Sequence, residues 1–203
     1  MPDLSGILPE LPRLAAECRA GPWKYEYEDC RATLTPFGDI TVVAIPGTHG
    51  AKDISDLIAD GLLMVDWYSW IIGWGPEGSL RRAHGLFDRL SPLLTGSIVL
   101  AAHSLGGAFG AVVASLLAAS GRPPLWMETY GTPHSAGKKM VDLLRDVPGI
   151  AYENAGDPIP HATLGLWRPW RTPRLLGSPY AGFTIQRHFM DTYRELLTPT
   201  AAA

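Results

Sequence analysis

The 203-residue chain is 46% hydrophobic and 18% charged, with a formal net charge of −3. That is enough apolar material for one sizeable core, and too little positive charge for a nucleic-acid surface. Two cysteines, Cys18 and Cys30, make no disulfide framework and are read as free thiols, while six scattered histidines give no metal-ligand spacing, so no cofactor is expected.

Residues 1–22 carry Pro, Ala and Glu without strand alternation and read as a helical or irregular lead-in to a single domain spanning 1–203. Met1-Pro2-Asp3-Leu4-Ser5-Gly6 also lacks the basic segment and unbroken apolar run of a secretory signal. The expected location is therefore cytoplasmic, or secreted if a signal has been removed. From Cys30 the text turns strand-like: Arg31-Ala32-Thr33-Leu34, a turn at Pro36-Phe37-Gly38-Asp39, then a strand over Ile40–Ile45. Helical patterns follow at about 52–66 and 79–94. A strand at 97–102 leads into a helix at 106–120, then a strand at 125–130, a helix at 135–145, a strand near 150–153 and a final helix from about 188 to 197. Strands alternating with helices predict an α/β fold with a mostly parallel central sheet flanked by helices.

Ser97-Ile98-Val99-Leu100-Ala101-Ala102-His103-Ser104-Leu105-Gly106-Gly107 reads as a buried strand that delivers a serine into a tight turn. Ala102-His103-Ser104-Leu105-Gly106 differs from the nucleophile-elbow pattern G-x-S-x-G at its first residue alone. Small residues flank such a serine because the strand and the following helix approach closely there. The helix after it is small or apolar on every face, which predicts central burial; it is too short and too rich in Gly and Ser for a membrane span.

A serine hydroxyl attacks an acyl carbon well only when an imidazole takes its proton and a carboxylate orients that imidazole. In the order Ser, acid, His, the acid is sought after Ser104 in a loop that follows a strand. Asp157, inside Asn154-Ala155-Gly156-Asp157-Pro158, fits. Asp142, Asp146 and Asp191 lie in helical, charge-rich text and read as solvated charges, and Glu153 sits within or at the edge of a strand. His188 is the histidine with room to return to the serine. His161, four residues from Asp157, is its rival, while His103 reads as a packed or hydrogen-bonded neighbour of the serine. The loop Pro46-Gly47-Thr48-His49-Gly50 offers Thr48 as one oxyanion donor, and the Leu105 N–H is the other.

These segments together resemble the class three, or fungal-type, lipases over most of residues 30–197. Ala44-Ile45-Pro46-Gly47-Thr48 resembles the F-R-G-T oxyanion segment of that family, and Asp56-Leu57 the end of its N-W-x-x-D-L lid tract. Ala102–Ala108 is similar to G-H-S-L-G-G-A. Thr129-Tyr130-Gly131-Thr132-Pro133 resembles F-G-x-P, Asn154–Pro160 resembles N-x-x-D-x-V-P, and His188–Tyr193 resembles H-x-x-x-x-Y. The resemblance implies an α/β-hydrolase fold in a compact variant with a short lid. It implies Ser104 as nucleophile, Asp157 as acid, His188 as base, and Thr48 with Leu105 as oxyanion donors. Pro46 replaces the usual arginine, Ala102 the first glycine, and Asp53 the lid aromatic, so the short polar tract Gly50–Asp56 predicts an open or minimally covered site.

The expected activity is a serine carboxylester hydrolase, lipase or esterase, that cleaves acyl esters such as acylglycerols through an acyl-enzyme. The same triad would serve a phospholipase A, a thioesterase or an acyltransferase, and a silent hydrolase-fold binding protein is the non-enzymatic alternative. The expected partners are an acyl ester or lipid substrate and, transiently, a lipid surface. Trp70 and Trp74, in the aromatic stretch 62–75, read either as core at helical spacing or as walls of an acyl groove, and Trp167 and Trp170, between acid and base, read as part of a substrate-facing loop near its mouth.

Overall fold

The computed structural model describes residues 2–18, 25–28, 30–47, 66–69, 73–163, 165–178, 180 and 182–198. These residues form a seven-stranded sheet of order β1-β2-β3-β6-β7-β8-β9. Its strands are β1 (Tyr25–Tyr27), β2 (Cys30–Phe37), β3 (Ile40–Ile45), β6 (Ser97–His103), β7 (Trp126–Tyr130), β8 (Gly149–Asn154) and β9 (Arg174–Leu176). β1, β2 and β3 pair antiparallel, and every pairing from β3 to β9 is parallel. β4 (Asp66–Ser69) and β5 (Gly73–Pro76) form a separate antiparallel hairpin.

The period-two alternation of the central strands sorts their side chains into two cores. On one face, Val43, Ile45, Ile98, Leu100, Ala102 and Met127 pack beneath α2 (Glu77–Leu90), α3 (Leu105–Ala119) and α4 (Lys138–Leu144). On the other, Val42, Ala44, Val99, Ala101 and Tyr130 pack beneath α1 (Leu11–Glu17) and α5 (Met190–Leu197). α3 is buried along residues Leu105–Leu117, as its lack of a polar face dictates. Its one hydroxyl in that run, Ser115 Oγ, donates to the Ala111 carbonyl at 2.7 Å, which removes the cost of burying an unpaired polar atom. Among the described residues no helix is long and apolar enough to cross a membrane.

Most expected elements lie where the sequence put them, and the differences have local causes. The first turn is tighter than expected: β2 runs through Pro36 and Phe37, leaving Gly38-Asp39 between paired Phe37 and Ile40, with Gly38 at φ +58. Pro36 is tolerated because β1 pairs with residues 30–32 alone, so nothing at Pro36 calls for the missing N–H on that side. The helix expected at about 52–66 falls, up to residue 65, outside the described residues, as does Trp70. Within the aromatic stretch 62–75, read as core at helical spacing, the described residues 66–69 and 73–75 belong instead to the paired strands β4 and β5. Gly73 sits at φ +86, and the Trp and Tyr of Asp66–Ser69 suit a pleated strand better than a helix broken by Gly-Trp-Gly-Pro. The short strands β1 and β9 were not expected. The final helix, α5, starts at Met190 and not at His188, which ends a separate 3-10 turn at Ile185–His188, with Phe189 extended between them at φ −71 and ψ 144.

Candidate active site

The parallel strands end at one edge of the sheet, and the loops leaving β6, β7 and β8 meet there with the turn before α5. β6 closes on His103, and Ser104 follows at φ 56 and ψ −134, with α3 starting at Leu105. A positive φ on a non-glycine residue costs about 1–3 kcal/mol, so the surrounding contacts must hold it. They do: the Ser104 N–H donates to the Tyr130 carbonyl, and the Gly107 N–H to the Ser104 carbonyl, both at 2.9 Å. The close approach expected at this turn is present. A Cβ on Gly106 would lie 2.3 Å from the Pro46 carbonyl oxygen, and one on Gly47 would lie 2.4 Å from Ser104 Cβ. Ala102 fits in place of glycine because the facing helix position is Gly110, where even a methyl group would come within 3.2 Å of the Ala102 Cβ.

Ser104 Oγ lies 2.7 Å from His188 Nε2, and His188 Nδ1 lies 2.8 Å from Asp157 Oδ2. With Nδ1–H donating to the carboxylate, Nε2 is left to accept the serine proton. All three side chains are buried, so water competes little for these bonds. Asp157 is further fixed by the Ile159 N–H on Oδ1 at 2.9 Å and by the Tyr193 hydroxyl on Oδ2 at 2.8 Å. The Tyr193 oxygen in turn accepts the Asn154 N–H at 3.0 Å. Burial, followed by the charge of Asp157, pushes the Tyr193 phenol well above its ordinary value, which keeps it a donor. On the base side, the Asn154 amide donates to the Arg187 carbonyl at 3.0 Å. His103 Nε2 bonds the His188 carbonyl at 2.7 Å, with the two imidazole rings 4.8 Å apart.

His161 is exposed and stands apart from the serine: its Nε2 lies 3.7 Å from Glu153 Oε2, while His134 Nε2 lies 2.8 Å from Oε1 of the same residue. Asp142 pairs with Lys138 and Arg145 on the surface of α4, and Asp191 lies 3.6 Å from Arg194 on α5. Leu105 is the first residue of α3, so its N–H has no intrahelical carbonyl to bond. Thr48 lies outside the described residues, as do Trp70 and the tract Gly50–Asp56, and Trp74 contributes backbone to β5. Trp167 is half-buried, and Trp170 belongs to the core, where its indole N–H donates to Thr129 Oγ1 at 3.0 Å. Trp170 is therefore placed as packing and not as an open groove wall. Cys18 and Cys30 are both buried and form no disulfide, and burial pushes Cys18 up to about 12. Among the described residues no group of three or more His, Cys, Asp or Glu is arranged to hold a metal ion.

Tyr193 and Asn154 stand inside the segments His188–Tyr193 and Asn154–Pro160, and their tasks beside the acid emerge only from the fold. Their signal was present in the spacing: Tyr193 falls one turn into the helix that follows His188, and Asn154 ends the strand that precedes Asp157.

By sequence, the chain matches no protein-family model and no curated protein. In three dimensions it is similar to the Lip2 lipase of Yarrowia lipolytica, at 16% identity and a TM-score of 0.65, over 86% of this chain and 79% of that one. It is similar to a triacylglycerol lipase from Penicillium expansum at 13% identity and a TM-score of 0.61, over 83% and 77%. A third likeness is to the triacylglyceride lipase of Rhizomucor miehei, at 15% identity and a TM-score of 0.60, over 85% and 80%. At these identities the likeness is one of fold: the chain has the α/β-hydrolase fold, with a mostly parallel seven-stranded sheet flanked by helices, that these fungal lipases share.

Proposed function

We propose that this protein is a serine carboxylester hydrolase, of lipase or esterase type, acting on acyl esters such as acylglycerols. The observation that carries the reading is the unbroken hydrogen-bonded series Ser104 Oγ, His188 Nε2, His188 Nδ1 and Asp157 Oδ2. In this reading Ser104 Oγ attacks the ester carbonyl carbon while His188 Nε2 takes its proton, and Asp157 stabilises the imidazolium. The Leu105 N–H and a Thr48 donor hold the tetrahedral oxyanion, each such donor contributing about 3–4 kcal/mol in the transition state. His188 then gives the proton to the leaving alcohol, and the acyl group stays on Ser104. Water, deprotonated by the same imidazole, attacks the acyl-enzyme and releases the carboxylic acid and Ser104.

Labelling with a fluorophosphonate, followed by peptide mapping, tests the nucleophile: the adduct is expected on Ser104, and an unlabelled Ser104 in folded protein would sink the mechanism. A panel of short- to long-chain acyl esters, phospholipids and acyl thioesters then separates esterase and lipase from phospholipase A, thioesterase and acyltransferase use of the same groups.

A further inference from the structure

Glu128 stands in the middle of β7 on the face turned toward α1 and α5, and it is 6% exposed. Its Oε1 accepts the Trp126 indole N–H at 2.9 Å, and its Oε2 accepts the Tyr130 hydroxyl at 2.6 Å. Both donors are neutral. No cation lies within ion-pair distance of this carboxylate among the described residues. A buried carboxylate is costly unless its charge is met, and each of its oxygens keeps a second lone pair.

Glu128 forms part of the floor of a cleft of about 680 Å³ between α1 and α5. That falls in the range of small-molecule sites, roughly 300–1,000 Å³. Leu8, Pro12, Trp126, Ile150, Tyr152 and Leu197 supply its apolar and aromatic lining. The rim also carries Glu10, Arg13 and Arg194. Arg13 is engaged by Glu10 at 2.7 Å and by Glu17, and Arg194 stands 3.6 Å from Asp191. Arg174 borders the Tyr152 hydroxyl but does not line the cleft, so the charge left unmatched among the lining residues is the negative one at its floor.

An aromatic and apolar lining around an unmatched carboxylate is the chemistry that receives an organic cation: the carboxylate meets the charge, and aromatic rings meet the alkyl groups of an ammonium head. A neutral ligand would leave the charge of Glu128 as it is, and an anion would oppose it. We propose that this cleft is a binding site for a small alkylammonium ligand, with Glu128 as its counter-charge and Trp126 and Tyr152 as its aromatic walls. The site shares no residue with the Ser104 series, and the proposal stands independently of the ester chemistry.

Calorimetric titration of the full chain carrying Ser104→Ala, with choline and with its uncharged carbon isostere dimethylbutanol, tests it. Choline is expected to bind saturably and about tenfold or more tightly than the isostere. Glu128→Gln is isosteric and retains an oxygen acceptor. In that variant choline affinity is expected to fall about tenfold or more, while binding of the isostere is unchanged. Trp126→Leu provides the second arm, weakening choline more than dimethylbutanol. Equal affinity for the two probes, no saturable binding of either, or choline binding unaffected by Glu128→Gln would each overturn the proposal.

Discussion

The Tyr193 hydroxyl donates to Asp157 Oδ2 at 2.8 Å, the same oxygen that accepts from His188 Nδ1 at 2.8 Å. One carboxylate oxygen thereby receives two donors, one from the last residue of the 3-10 turn and one from the first turn of α5, and its direction is set by the phenol as much as by the imidazole. In Tyr193→Phe the ring and its packing remain, and the Asp157 carboxylate loses one charge-assisted bond. Such bonds contribute about 1.5–3 kcal/mol, so kcat for ester hydrolysis is expected to fall roughly tenfold or more, with KM little changed. Steady-state kinetics across an ester series measures this, and an unaltered kcat would remove Tyr193 from the positioning of the acid.

His103 acts on the other side of the base. Its Nε2 meets the His188 carbonyl at 2.7 Å in a buried setting. A glutamine amide can still donate to that carbonyl, whereas leucine fills the space and leaves it unpaired, at a cost of about 1–3 kcal/mol. His103→Gln is therefore expected to retain more fluorophosphonate reactivity and a higher melting temperature than His103→Leu. Equal behaviour of the two variants would mean that the bond does nothing for the base.

The sheet and the chemistry were legible in the sequence for different reasons. Val42 to Ile45 and Ile98 to Ala102 announce doubly covered strands by being apolar on both faces, and Ser104 is marked by the small residues that its turn demands. Asp157 and His188 followed from chain order and loop chemistry, which is why geometry brings together the residues that spacing had selected. What was illegible depended on contacts distant in the chain. β9 is three residues long and exists because β8 offers it an edge. Trp170 looked like a loop aromatic until Thr129, 41 residues away, supplied its hydrogen-bond partner. The pairing of β4 with β5 is not legible in the aromatic stretch 62–75, because aromatic residues at helical spacing also suit a strand and the period cannot separate the two over so short a run.

Gly131 leaves β7 at φ +57, and a Cβ there would lie 2.8 Å from Asp157 Oδ2 and 2.9 Å from His188 Nδ1. Gly131→Ala combines a left-handed backbone penalty of about 1–2 kcal/mol with a methyl group pressed into the acid–base contact. A moderate drop in thermal stability and a much larger drop in kcat are expected, because the strain is relieved most easily by moving the imidazole. Thermal unfolding and kinetics on the same preparation separate the two effects. A variant as active as the parent would show that the acid–base contact tolerates displacement.

Burial raises the Glu128 carboxyl above its ordinary value, with the Tyr130 and Trp126 hydrogen bonds pulling the other way. An acid whose folded value lies above its unfolded one holds more protons when folded, so stability from this group falls as pH rises from the unfolded value through the folded one. Glu128→Gln removes that dependence. The stability of the variant relative to the parent is therefore expected to improve as pH climbs out of the acidic range and then level off. Melting curves across pH test this, and a constant difference between the two proteins would mean that the carboxyl titrates alike in both states.

The two histidines that follow the acid make opposite predictions. His188 is buried between Ser104 and Asp157, whereas His161 is 61% exposed at its side chain and borders Glu153. His188→Ala takes away the group that accepts the serine proton, and loss of a triad base lowers kcat on the order of 10⁴-fold or more. His161→Ala removes a surface imidazole whose neighbour Glu153 keeps His134 at 2.8 Å, so kcat is expected to stay within about twofold of the parent, the range of an exposed substitution worth less than about 0.5 kcal/mol. Both variants should unfold cooperatively, which makes the comparison one of chemistry rather than of folding. Should His161→Ala abolish turnover while His188→Ala retains it, His161 would be the proton acceptor and the hydrogen-bonded series at Ser104 would be structural.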